Sequence, residues 1–216
     1  MTRRVEVLQS ESILAERVAH LGPGDLAFDC GANVGKVTQM LAQTGAQVAA
    51  FEPDPVIFGD LKARFAGQPQ VLLHNVAVGT EAGEALMLRS PYYSDDPIKE
   101  SEKNTICSQA VTRKKEGGWQ PMDADNGVMV PVIDLLEYLA DELATRERIG
   151  LLKLDIEGME MPILRKMLTG NLFDRIDLTI AELHPWRFPD EADEIRAFRT
   201  EMAARYPVTT VNLDWG

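Results

Sequence analysis

The sequence is short of several things, and each shortage narrows what the chain can do. It carries 22 Lys and Arg against 34 Asp and Glu, a formal charge of −12. It therefore lacks the concentrated basic surface that nucleic acid demands, and it would repel a polyanion at long range. The one basic cluster, Arg113-Lys114-Lys115, is too short to reverse this and reads as a solvated loop face. The two cysteines, Cys30 and Cys107, have no neighbouring Cys or His at metal-ligand spacing, which argues against a zinc site. Cys30 reads instead as a small buried residue at a strand end. No stretch approaches the roughly 20 apolar residues needed to span a bilayer. Glu6, Gln9, Ser10, Glu11 and Ser12 stand where a signal peptide would need a continuous apolar run, so the expected location is the cytoplasm. There is no internal repeat and no low-complexity tract. The 216 residues suit one domain with a sizeable core, 1–216.

What is present is an alternation of short apolar runs with helical patterns, the signature of βαβ units and a parallel sheet. An N-terminal helical segment, 1–24, is marked by Leu14, Val18 and Leu21 and stopped by Gly22-Pro23-Gly24. Strands are expected at 26–28, 48–51, 71–73, 149–154, 176–181 and 208–213, with an extra strand over 83–88. Helices are expected around Val34 to Leu41, Phe58 to Phe65, Leu135 to Leu139 with Asp134 as N-cap, Ile163 to Leu168 and Ile195 to Met202. Regularity fails over 90–127, which is polar and turn-rich. Such a stretch is usually functional or disordered; Tyr92, Tyr93 and Trp119 favour a lid-like insertion over a disordered insert. The fold expected is a doubly wound, mostly parallel α/β sheet. Asp29, Glu52, Asn75, Asp155 and Glu182 each end a strand, and ligands of such sheets bind at that edge.

The sharpest local pattern is Asp29-Cys30-Gly31-Ala32-Asn33-Val34-Gly35, between a strand and a helix. Gly31 permits a tight turn and close ligand approach, Gly35 permits close helix packing, and Asp29 offers an acceptor for an ammonium group. Glu52, twenty-one residues after Gly31, is placed to accept both hydroxyls of a ribose. A dinucleotide site needs G-x-G-x-x-G, but Asn33 and Lys36 occupy its second and third glycine positions. Asp29 would also repel a pyrophosphate, so an aminoacyl ligand carrying a ribose is the better electrostatic match. Asn75 reads either as a hydrogen-bond partner for adenine or as a plain loop residue.

Two further clusters bear chemistry. In Lys153-Leu154-Asp155-Ile156-Glu157-Gly158-Met159-Glu160, Asp155 stands where a reacting centre belongs, whereas Glu160 reads as a capping carboxylate. In Glu182-Leu183-His184-Pro185, His184 reaches the same sheet edge and is a candidate general base. His20 and His74 lack such company and read as structural.

Taken in series, Asp29–Gly35, Ala50-Phe-Glu-Pro-Asp-Pro, His74-Asn-Val-Ala, Lys153–Glu160 and Glu182-Leu-His-Pro resemble the FkbM family of S-adenosylmethionine-dependent methyltransferases. The resemblance runs from about residue 25 to 185 and implies the class I methyltransferase sheet (Rossmann-like). It also implies S-adenosylmethionine at Asp29, Gly31 and Glu52, with Asn33, Gly35 and Asn75 completing the cofactor set. The expected reaction is O-methylation of a small-molecule hydroxyl on a sugar, glycolipid or secondary metabolite. Segment 90–127 matches little, so the acceptor does not transfer, and the antiparallel hairpin that usually finishes the sheet is expected to be incomplete. His184 or Asp155 is the expected base, with Glu157 the weaker candidate. No metal is expected, although a divalent cation on Asp155, Glu157 and Glu182 is an alternative way to activate the acceptor. The rival functions are an NAD(P)-dependent oxidoreductase and a cofactor-binding scaffold without catalysis. The oligomeric state is left open.

Overall fold

Apolar residues alternate along the central strands, and the two sets that result bury against different helices. This is visible in a computed structural model that describes residues 3–215, and the side chains of 7–215. The elements in chain order are α1 (Arg3–Ala19), β1 (Leu26–Cys30), α2 (Lys36–Ala42), β2 (Gln47–Phe51), α3 (Pro55–Arg64), β3 (Val71–His74), β4 (Ala77–Gly79) and β5 (Gly83–Arg89). There follow α4 (Pro97–Glu100), β6 (Val111–Arg113), β7 (Trp119–Pro121), β8 (Asp123–Asp134), α5 (Leu135–Thr145), β9 (Leu151–Leu154), α6 (Glu160–Thr169), β10 (Thr179–Ala181), α7 (Ala192–Arg205) and β11 (Val211–Asn212). The main sheet, in the order β11-β10-β9-β1-β2-β3, is parallel at every pairing. No helix among the described residues is long and apolar enough to cross a membrane.

Phe28 and Cys30 of β1, Ala49 and Phe51 of β2, and Leu152 and Leu154 of β9 pack with α5, α6 and α7 through Leu139, Ile163, Met167 and Phe198. Ala27, Val48, Ala50 and Leu151 point the other way, toward Leu14, Leu41 and Leu61 of α1, α2 and α3. Full burial of one such side chain is worth about 1.5–3 kcal/mol. The period-2 alternation thus builds two cores from the same strands, the physical content of a doubly wound sheet. At the far edge β11 pairs directly with β10 and runs parallel to it; no antiparallel strand lies between them among the described residues.

A second, three-stranded sheet, β4-β8-β5, stands beside the main one. Its central strand β8 is twelve residues long, and the sequence reading left it out, as it did β4. Within 90–127 the chain forms α4, a 3₁₀ turn over Ser101–Lys103, the β6–β7 hairpin and the start of β8. Leu88 pairs with Thr105, which folds residues 101–106 back across the carboxyl edge of the main sheet.

Candidate active site

Five strands end one residue before a polar group or a glycine. Glu52 follows β2, Asn75 follows β3, Asp155 follows β9, Glu182 follows β10 and Gly31 follows β1. A cavity of about 460 Å³ opens over that edge, lined by Gly31, Asn33, Glu52, Lys153, Asp155, Glu157, Glu182 and Trp186. Val76, Ala77, Val78 and Met87 line it with apolar surface, and residues 101–106 line another side. Its size falls in the range that holds a cofactor-sized ligand.

The loop after β1 is held by backbone geometry. Gly31 has φ +80°, and a Cβ there would lie 1.8 Å from the Asp155 carbonyl oxygen. Only glycine lets this loop close over the end of β9. Gly31 and Ala32 both donate their N–H groups to the Phe51 carbonyl, at 3.0 and 2.9 Å. Asn33, at φ 46°, gives its N–H to Glu52 Oε2 at 2.9 Å and its side-chain amide to Ser101 Oγ at 2.9 Å. At Gly35 a Cβ would press on Leu61 and Phe65 of the α3 region, so this glycine serves packing, and it is not among the cavity-lining residues.

Glu52 is buried, and Oε1 accepts the Asp54 N–H at 2.8 Å. Burial raises its carboxyl to about 7 against the lowering effect of these two N–H groups. Each oxygen still has a lone pair to offer a hydroxyl.

Asp29 lies elsewhere than the sequence suggested. β1 runs one residue further, to Cys30, so alternation turns Asp29 beneath the loop toward α2. There it is 0% exposed, accepts the Thr38 hydroxyl at 2.6 Å and faces Lys153 Nζ at 3.2 Å. The ammonium group it meets belongs to the protein. Lys153, overlooked in the sequence, also donates to the Gly31 carbonyl at 2.6 Å and faces Asp155 at 3.5 Å. Burial alone would lower its pKa, but Asp29 and Asp155 override that and raise it. The available signal was a cation inside an otherwise apolar run, Leu151-Leu152-Lys153-Leu154. Asn75 also differs. Its amide donates to the carbonyls of Glu52 and Pro53 at 2.8 and 3.0 Å, so it braces the turn after β2 and is absent from the cavity lining.

Asp155, Glu157, Glu160, Glu182 and His184 come together on the other side of the cavity. His184, its side chain 2% exposed, points Nε2 at Glu157 Oε1 (3.3 Å), Glu182 Oε1 (3.6 Å) and Asp155 Oδ1 (3.8 Å), and Nδ1 at Glu160 Oε1 (3.6 Å). Burial would lower the imidazole's pKa, but Glu157 and Glu160 outweigh it and push it to about 11. Carboxylate neighbours of this kind favour the protonated ring over the proton-accepting one, which weighs against the general base expected from the sequence. Burial raises Asp155 and pushes Glu182 to about 7, Asp155's charge adding to the latter. Burial would raise Glu160 too, but contact with His184 and the Ile156 N–H hold it low. Glu160 accepts the N–H groups of Ile156 and Gly158 at 2.7 and 2.8 Å, so it braces the loop ahead of α6 and not the first turn of the helix, which has no side-chain cap.

Glu157 has φ 63°, a conformation rare for a non-glycine residue, and its second oxygen is held by the guanidinium of Arg187. Arg187 is 0% exposed and also binds the carbonyls of Lys103 (2.8 Å) and Val111 (3.2 Å). It joins the site to the segment above it. Beside it Trp186 stacks on Trp119, ring centres 5.6 Å apart. Neither Arg187 nor Trp186 was singled out in the sequence. Tyr92, Tyr93 and Trp119 do not line the cavity; Trp186 and Trp215 do. His74 stacks on Phe51 at 4.7 Å, away from this cluster.

Known proteins are similar to this chain. The chain is 32% identical over 187 residues to the 31-O-demethyl-FK506 methyltransferase FkbM of Streptomyces tacrolimicus, covering 76% of this chain and 67% of that one. It is 28% identical over 170 residues to Methyltransferase 1 of Beauveria bassiana, covering 77% of this chain and 67% of that one. The chain thus spans about two thirds of these relatives' length. A crystal structure of methyltransferase FkbM from Methylobacillus flagellatus KT shares 16% identity over 67% of this chain and 29% of its own, at a TM-score of 0.36, too weak a likeness to argue from. The methyltransferase FkbM domain itself matches residues 29–206, most of the chain, from the end of β1 through α7 and including all of the clustered carboxylates, and the chain belongs to that methyltransferase family.

Proposed function

We propose that this chain transfers a methyl group from S-adenosylmethionine to a hydroxyl oxygen of a small-molecule acceptor. The observation that carries the reading is that one cavity joins two chemically distinct halves. One half has Glu52, the Gly31–Asn33 loop and apolar Val76, Ala77, Val78 and Met87. The other has Asp155, Glu157, Glu182 and Trp186.

The first half fits the cofactor. Glu52 keeps two free lone pairs for the ribose hydroxyls, and the apolar wall suits the adenine ring. When bound, S-adenosylmethionine supplies a methyl group already activated on a sulfonium. The protein's share is then to align the acceptor, exclude water and receive one proton. Residues 101–106 and Trp186 wall the cavity, and the Trp186 ring offers a flat apolar face to an acceptor. Asp155 has the most exposed side chain of the carboxylates around His184 and stands as the acceptor of the hydroxyl proton. A positioned base of this kind adds roughly 10²–10⁴-fold. The name of the Streptomyces relative, a 31-O-demethyl-FK506 methyltransferase, supports oxygen as the target atom.

The test is a thermal-shift titration with S-adenosylmethionine, S-adenosylhomocysteine and NAD in parallel, followed by labelled methyl transfer to a panel of alcohols, sugars and amines. A ligand at 100 times its dissociation constant adds about 2.7 kcal/mol of stability. Shifts with the two sulfur ligands, lost in Glu52→Ala, are expected. Asp155→Asn should keep the shift and slow transfer. A shift with NAD alone, or label appearing only on nitrogen acceptors, overturns the reading.

A further inference from the structure

The spacing around His184 is unusual for an ion pair. A protonated imidazole draws a carboxylate to about 2.7–2.9 Å. Here Nε2 stands 3.3, 3.6 and 3.8 Å from oxygens of three different carboxylates and closes on none of them. Donors that share one metal ion at about 2.0–2.2 Å lie roughly 3.0–3.6 Å apart. The 3.3 and 3.6 Å separations fall within that range and the 3.8 Å one just beyond it, and all three are too long for a shared proton. Donor atoms of Asp155, Glu157 and His184 all fall within 4.8 Å of one another.

The surroundings are those of a ligand set. Each of two carboxylates turns one oxygen toward His184 and has the other held from outside. Asp155 Oδ2 faces Lys153 and Glu157 Oε2 faces Arg187. On the far side of the ring Nδ1, buried and without a hydrogen bond, looks at Glu160 Oε1 at 3.6 Å. Glu160 is itself fixed by two backbone N–H groups. A carboxylate behind a histidine is the arrangement that orients a metal-bound imidazole.

We infer that Asp155, Glu157 and His184 bind one divalent cation in the wall of the cavity, at a position where an acceptor hydroxyl can complete its coordination. Two carboxylates and one imidazole select a first-row ion of the Mn²⁺ kind over Mg²⁺, which prefers an all-oxygen shell. The cation's role toward a hydroxyl rests on the methyl-transfer reading; its binding does not.

The test uses the full chain stripped with a chelator and titrated with MnCl₂, free Mn²⁺ being followed by electron paramagnetic resonance. One site per chain with a dissociation constant below about 100 µM is expected, with an imidazole nitrogen coupling in the pulsed spectrum. Asp155→Asn, at a partly exposed position, and His184→Gln should each weaken binding at least tenfold, and Glu52→Gln should not. No binding tighter than millimolar, no nitrogen coupling, or undiminished affinity in Asp155→Asn overturns the inference. In the last case the ions sit on the acidic surface. The stripped protein is also titrated with S-adenosylmethionine. A cofactor shift without Mn²⁺ binding removes this inference alone, and Mn²⁺ binding without a cofactor shift removes the methyl-transfer reading alone.

Discussion

Arg187→Met is the most informative single change, because the native side chain does four things at once from a fully buried position. Its guanidinium neutralises Glu157, binds the Lys103 carbonyl at 2.8 Å and the Val111 carbonyl at 3.2 Å, and lies 3.2 Å from Met122 Sδ. Methionine keeps much of the length and removes all polar contacts. Breaking a buried ion pair from one side costs about 3–5 kcal/mol. The Glu157 side chain is 15% exposed, so water reaches it and the lower figure applies. Two carbonyls left without a partner add about 1 kcal/mol each, the low end of the desolvation cost, because both belong to surface segments. The sum, about 5 kcal/mol, would consume much of the stability of an ordinary domain. At 2–4 °C per kcal/mol for a chain of this size, the melting temperature should fall by roughly 10–20 °C.

Urea denaturation gives the free energy, and hydrogen exchange over 101–122 reports whether that segment opens first. A double variant with Glu157→Gln should recover at least 1 kcal/mol relative to additivity, since the stranded carboxylate is then absent. If Arg187→Met lies within 1 kcal/mol of the parent, or is more stable, the claim that this arginine holds the cover to the site is refuted.

Two other expectations come from the cofactor half. Gly31→Ala, with a Cβ 1.8 Å from a strand carbonyl at φ +80°, should lose more than about 2 kcal/mol or fail to fold. Gly59→Ala, in α3 with nothing within 4 Å, should gain about 0.5–1 kcal/mol; equal urea midpoints for the two variants would contradict the close packing of the β1 loop on β9. Glu52, raised to about 7 by burial and by Asp54 against the lowering effects of Lys153 and two N–H groups, binds a proton more tightly folded than unfolded. Its contribution is fully present below about pH 4.5 and is lost as pH rises through 7, on the order of 3 kcal/mol. Relative to Glu52→Gln, the parent should therefore weaken between pH 5 and pH 8, and an unchanged difference in urea melts across that range would count against a buried, unpaired carboxyl.

Much of the architecture could be read directly because the chain obeys one rule at a time. Short apolar runs with polar ends gave β1, β2, β3, β9 and β10, and Asp134 caps α5 by accepting the Leu136 N–H at 2.8 Å. β8 escaped notice although Val128, Val130 and Val132 alternate with Met129 and Pro131. A proline normally argues against a central strand, yet Pro131 sits in one, opposite Glu84. Asp29 was read as the residue that ends β1, but the strand continues to Cys30, so its side chain points into the core beneath α2 and not out at the sheet edge. Arg187 and Glu157 were beyond reach for another reason: they meet across thirty positions, and no local pattern encodes that contact. Convergence at the strand ends was legible, whereas the partners that tune each group were not.

Those partners explain why so acidic a chain can gather its carboxylates at one edge. The sheet order reverses between β9 and β1, and crevices of such sheets form at that point. Gly31 and Asp155, the residues that follow these two strands, are so close that the crevice floor is backbone. Lys153 sits directly under it and answers Asp29 and Asp155 together. One cation thus neutralises the floor, and Arg187 neutralises one oxygen of the wall. The oxygens left facing inward, on Asp155, Glu157 and Glu182, have only the imidazole among them. A wall built this way has spent its fixed cations on the outward oxygens and keeps its inward ones for something that comes and goes, which is what a site for an exchangeable cation and a hydroxyl requires.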